Sequence, residues 1–186
     1  EDHMSGGGLV GTASIGGVMA GLTKIVVAID FSPLSLEALE YARDLAATTD
    51  AKLTLVYVVE PIEYGGLDFL GGAPISAQSL VEEHVKQARS ELGTLADRLS
   101  SAKRVGRGAR PTVETLVRVG RPADELSAVV GEGRDRLLVV GTHGRTGLSH
   151  LVMGSVAERV VRHARCPVLV VPVGGQEIAK SGRRGR

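Results

Sequence analysis

Aromatic residues are scarce: they make up 3% of the 186 residues, and Trp is absent. The core must therefore be built from Val, Leu, Ile and Ala, and the scarcity argues against a stacking platform for single-stranded nucleic acid. Net charge is almost nil, +1 at pH 7, so the basic footprint of a DNA- or RNA-binding domain is missing. A single cysteine, Cys166, excludes an internal disulfide and a multi-cysteine zinc site. That usage agrees with a reducing, cytoplasmic setting. Apolar runs are short, and none approaches the roughly 18 residues that a membrane-spanning helix needs. The sequence also contains no G-x-x-x-x-G-K-[ST], no H-E-x-x-H and no G-x-S-x-G.

What is present is 43% apolar residues in a length suited to one domain with tails. Residues 1–22 are rich in Gly, Ser and Ala, and their "DHM" resembles a cloning scar; they are expected to be a disordered or vector-derived tail without the basic and apolar regions of a signal peptide. Residues 174–186 read as a basic flexible tail. Residues 23–173 form the expected domain.

Within it, short apolar runs alternate with helical patterns. "KIVVAID" (Lys24 to Asp30), "KLTLVYVVE", "TVETLVRVG", "DRLLVVG" and "CPVLVVPV" read as five strands, the first nearly continuous in apolar residues as a strand buried on both faces should be. Ser32 before Pro33 marks an N-cap with Pro at the first helical position, followed by Leu36, Leu39, Ala42 and Ala46 at helical spacing. Val81, Val85, Ala88, Leu92, Leu95 and Leu99 form one apolar stripe on a long helix, expected to pack on a sheet rather than in a coiled coil. Shorter helices are predicted from Pro122 and from Gly154. Strands separated by helices imply a parallel sheet, hence a three-layer, doubly wound, five-stranded α/β domain. Ligands of such folds bind at the carboxyl ends of the strands where strand order reverses, which singles out Asp30, Val58 to Glu60, and Gly141 onward.

From Gly141 the chain reads "GTHGRTGLSHLVMGSVAERVV". Gly141 closes a strand, Gly144 follows, and Gly154 and Ser155 open a helix. Backbone N–H groups at a helix start have no internal partner and carry partial positive charge, so glycines that admit close approach or positive φ there suit a phosphate. The Ser155 hydroxyl is placed to cap the helix and to donate to a phosphate oxygen. A structural turn explains the same glycines, and spacing alone leaves both readings open.

The Gly-two-Gly-nine-Gly-Ser spacing followed by "VAERVVRHARCPVLVV" resembles the nucleotide-binding signature of the universal stress protein family. "KIVVAIDFSPLSLEALEYA", "VYVVEP" and "VGRPADEL" resemble its first strand and helix, its second strand and the start of its third helix, so the similarity runs from about Thr23 to Val173. The resemblance implies a Rossmann-like, adenine nucleotide alpha hydrolase-like fold and an ATP-binding member. It places phosphate contacts at Gly141, Gly144, Gly154, Ser155 and Val156, the adenine and ribose beside Asp30, and the base against Val58. Arg145, in the loop, is either a screening charge near the phosphates or a solvated side chain. His143 reads as a loop or interface residue, and Cys166 as a small buried hydrophobe. The resemblance also implies a homodimer paired through the last strand.

With no P-loop lysine and Asp30 the one evident carboxylate, the equipment for phosphoryl transfer is thin. The expectation is a regulatory, stress-response binder of ATP, with Mg or Mn held through Asp30 and phosphate oxygens and with at most slow hydrolysis. Two alternatives stand beside it: a sensor of AMP or cyclic AMP, and a dimeric interaction module without nucleotide dependence. No membrane or nucleic-acid partner is expected, and a protein partner is left unidentified.

Overall fold

A computed structural model describes residues 21–61, 77–101, 110–142 and 153–172. Five strands form its sheet: β1 (Lys24–Ala28), β2 (Lys52–Val59), β3 (Val113–Val119), β4 (Arg136–Gly141) and β5 (Val168–Val171). Four helices connect them: α1 (Pro33–Thr49), α2 (Ala77–Ser101), α3 (Pro122–Val130) and α4 (Ser155–His163). The strand order is β3-β2-β1-β4-β5, and every pairing is parallel. Order reverses between β1 and β4, so the carboxyl ends of those two strands flank the crevice.

Alternation along the strands explains the two core layers. Ile25, Val27, Leu53, Leu55, Leu137 and Val139 face one side, where Ala38, Leu39, Ala42 and Ala46 of α1 and Leu92 of α2 cover them. Val26, Val56, Leu138 and Val140 face the other, beneath Ala123, Leu126 and Val130 of α3 and Ala157 and Val160 of α4. Because β1 and β4 are buried on both faces, their sequences are continuous apolar runs with no alternating polar residue. Each Val or Leu removed from water in this way contributes about 1.5–3 kcal/mol.

The helix ends follow their sequences. Ser32 caps α1 by accepting the Ser35 N–H at 3.2 Å, with Pro33 in the first turn. The second part of the α2 stripe packs on the sheet, with Ala88 and Leu92 buried and Leu95 and Leu99 resting against the core, while Val81 and Val85 lie half-buried outside the core beside Pro61 and Val119. Two expectations need adjusting. Leu36 is 37% exposed, and the buried face of α1 runs through Ser35, Ala38, Leu39, Ala42 and Ala46 instead. Small residues there let the helix lie close to the sheet. The last strand is also shorter than "CPVLVVPV", because Pro167 and Pro172, which lack an N–H, bracket its four residues. The proposed tails, apart from Gly21 and Leu22, lie outside the described residues.

Candidate functional site

A cleft of about 780 Å³ opens along the carboxyl edge of the sheet. Asp30 follows β1, Val58 and Glu60 end β2, and Gly141 and Thr142 end β4; Gly154, Ser155 and Val156 enter the cleft from the start of α4. Thus six of the eight candidate residues, Asp30, Val58, Gly141, Gly154, Ser155 and Val156, line one space. Gly144 and Arg145 lie outside the described residues, as does His143.

The end of β4 and the start of α4 are tied together through Thr142. Thr142 N–H donates to the Val171 carbonyl at 3.0 Å, and its carbonyl accepts the Gly154 N–H at 2.7 Å. Its Oγ1 is buried beside the cleft with no hydrogen-bond partner. In α4 the first intrahelical bond runs from Glu158 N–H to the Gly154 carbonyl at 2.9 Å, so the N–H groups of Ser155, Val156 and Ala157 lack helical partners. These are the donors an anion would meet.

The geometry changes the explanation of two glycines and one serine. Gly154 is the N-cap, at φ −60° and ψ 149°, an extended conformation open to any residue. Gly141 is likewise not among the positive-φ glycines. A Cβ at Gly141 would lie 3.4 Å from Leu34, an ordinary van der Waals contact, so neither backbone angle nor packing within the described residues demands a glycine there. Ser155 does not cap α4; it occupies the first helical position, after the cap. Its hydroxyl is thereby spared capping duty.

At the other side of the crevice Asp30 Oδ1 accepts the Ser32 N–H at 3.0 Å, and Asp30 N–H donates to Ser35 Oγ at 3.3 Å. Between them Phe31 adopts φ 62°, the left-handed region that a bulky side chain avoids at a cost of about 1–3 kcal/mol. Its ring centroid lies 5.3 Å from that of Tyr57, and both rings line the cleft. The wall from α2 consists of His84, Gln87, Ala88 and Glu91, with Gln87 Nε2 donating to Glu91 Oε1 at 2.8 Å. Phe31, Ser35, Tyr57 and this wall were not anticipated; the only sequence signal for the serine was its place three residues after the cap, where it looks like ordinary first-turn polarity.

Among the described lining residues, Asp30, Glu60 and Glu91 bring carboxylates and there is no Lys or Arg. The described residues also contain no group of three or more His, Cys, Asp or Glu able to hold a metal. Cys166 stands away from the cleft lining, half-buried, and burial pushes its thiol up, which disfavours the reactive thiolate. No described helix is long and apolar enough to cross a membrane.

Known proteins share this architecture. UspA from Lactobacillus plantarum superposes with a TM-score of 0.64 at 23% identity, over 80% of this chain and 97% of the other. A universal stress protein solved in complex with cAMP matches at TM-score 0.50 and 26% identity, over 81% and 97%. In sequence, universal stress protein MJ0531 of Methanocaldococcus jannaschii is 35% identical over 148 residues, 80% of this chain and 81% of the relative. YxiE of Bacillus subtilis is 31% identical over 150 residues, 80% and 97%. A profile of the universal stress protein family matches residues 21–172, and with the fold and these relatives it establishes that the chain belongs to the universal stress protein family.

Proposed function

We propose that the cleft binds an adenine nucleotide, ATP in the first instance, and that the protein acts as a nucleotide-dependent regulator rather than as a catalyst. The observation that carries this reading is the start of α4, where three N–H groups without helical partners and the buried, unpartnered Thr142 Oγ1 line the same cleft. The relative solved with cAMP supports an adenine nucleotide as the ligand class.

In this reading Gly154, Ser155 and Val156 hold phosphate oxygens, with Gly141, Gly144 and Arg145 completing the loop side. Val58 lies against the base, and Asp30 takes the base and ribose. The residues present fit such a ligand: an anion-seeking helix start at one end, apolar strand ends in the middle, and acceptor carboxylates beyond. The same carboxylates would oppose a bare triphosphate, so ATP enters with Mg or Mn, whose charge offsets theirs. Asp30, together with phosphate oxygens, would hold the ion, which would supply charge neutralisation at the phosphates. Hydrolysis needs a positioned water and charge neutralisation at the γ-phosphate, and the described cleft supplies no cation for that purpose.

Isothermal titration with ATP, AMP and cyclic AMP, each with and without Mg, tests the proposal. Tightest binding is expected for ATP with Mg, weakened by EDTA; the absence of heat with all three nucleotides removes the reading.

A homodimer through β5 belongs to the same proposal. Among the described residues that strand pairs with β4 on one side alone, and three of its four residues are half-buried, which leaves an edge that proteins normally cover. Light scattering is expected to give twice the chain mass, and a monomer mass counts against the pairing.

A further inference from the structure

Ser35 is 4% exposed and lines the cleft, yet both functions of its hydroxyl are engaged inside the turn that joins β1 to α1. Oγ accepts the Asp30 N–H at 3.3 Å and donates to the Ser32 carbonyl at 3.0 Å. Ser32 closes the circuit, since its N–H bonds Asp30 Oδ1 at 3.0 Å. Phe31, at φ 62°, lies inside this ring of bonds. A strained residue persists where its surroundings over-determine it, and here those surroundings are one aspartate and two serines.

We propose that Ser35 is a positioning residue of the cleft. By holding the Asp30 main chain and the Ser32 carbonyl it keeps Phe31 left-handed, and so sets the direction of the Asp30 carboxylate and the contact of the Phe31 ring with Tyr57. The helix itself does not depend on this hydroxyl. The cap bond of α1 uses the Ser35 N–H, which any residue but proline supplies, and the Ser32 carbonyl also accepts the Leu36 N–H at 3.1 Å. What Ser35→Ala removes is the tie to Asp30 and one of the two bonds on the Ser32 carbonyl. Ser35 touches the ligand only through what it orients, and this consequence for binding rests on the nucleotide reading above.

Two measurements test it. The first is a double-mutant cycle of Ser35→Ala and Asp30→Ala, read by titration with ATP and Mg. Ser35→Ala alone is expected to weaken binding about tenfold, the size of one hydrogen bond at a half-buried site, and to cost clearly less in the Asp30→Ala background, where only the Phe31 ring is left to be misplaced. An equal loss in both backgrounds overturns the proposal, because Ser35 would then act independently of Asp30. The second is a crystal structure of Ser35→Ala without nucleotide. Phe31 is expected to leave the left-handed region and its ring to move away from Tyr57; an unchanged turn, with Ser32 N–H still on Asp30 Oδ1, overturns the positioning role whatever the protein binds. A wild-type chain that ignores ATP defeats the nucleotide reading alone and leaves the crystal structure to decide the role of Ser35.

Discussion

Individual side chains in this protein carry unequal stakes, and two polar ones outside the cleft show how much. Thr54 on β2 is 5% exposed, and its Oγ1 is buried without a partner, so the hydroxyl has lost its water for no bond in return. Thr54→Val, which keeps the branched shape that a strand favours, is expected to stabilise the fold by about 1–2 kcal/mol. The urea midpoint should rise with an unchanged slope. Asp135 presents the opposite case. Thr23 Oγ1 donates to its Oδ2 at 2.7 Å, and this bond holds the carboxyl below its ordinary value. The resulting stability is complete above the ordinary Asp value of about 3.9 and is lost as pH falls through the lower folded value. In Thr23→Val an NMR titration should find the Asp135 midpoint moved up, and the stability gap to the wild type should close below about pH 4.

Among the elements, α3 depends most visibly on contacts from outside itself. Its last carbonyls are taken by two cations from the amino ends of the central strands β1 and β4: Lys24 Nζ donates to Val129 O at 2.5 Å, and Arg136 Nη1 donates to Val130 O at 3.0 Å. The helix then ends at Gly131, φ 74° and ψ −164°, a conformation that essentially only glycine adopts. A Cβ there would also lie 2.4 Å from Arg136 Nη1 and displace that cap. Gly131→Ala is therefore expected to cost about 1–3 kcal/mol, measured by denaturant unfolding, without a change in nucleotide affinity. Much of the element structure is legible in sequence because capping and periodicity are local: Ser32–Pro33, Pro122 and the stripe through Ala88 and Leu92 each lie where their spacing places them. Leu36 and Ser35 were not, since helical spacing alone cannot say which of two neighbouring stripes meets a sheet.

For the molecule as a whole, nucleotide affinity and folding are linked. A ligand confined to the folded state adds about 2.7 kcal/mol at a hundred times its dissociation constant, a rise in Tm of roughly 5–10 °C for a domain of this size. Thermal unfolding with ATP and Mg at that excess should show such a shift, and Ser155→Glu, which places a carboxylate at the start of α4, should abolish it. The six cleft residues that sequence picked out are drawn from three strand ends and a helix start, and only the order β3-β2-β1-β4-β5 explains why they share one space.

Strand and helix rhythm pointed by themselves to a five-stranded parallel α/β domain, because burial period and caps are written into neighbouring residues, while the family entered as a resemblance of quoted segments that the family profile and relatives then established. Which side chains line the cleft from α2, that Gly154 rather than Ser155 caps α4, and that Phe31 is held left-handed by Asp30, Ser32 and Ser35 became visible only in three dimensions. Those facts depend on how close one element comes to another, a distance set by the packing of the whole sheet and not recorded in any single stretch of chain.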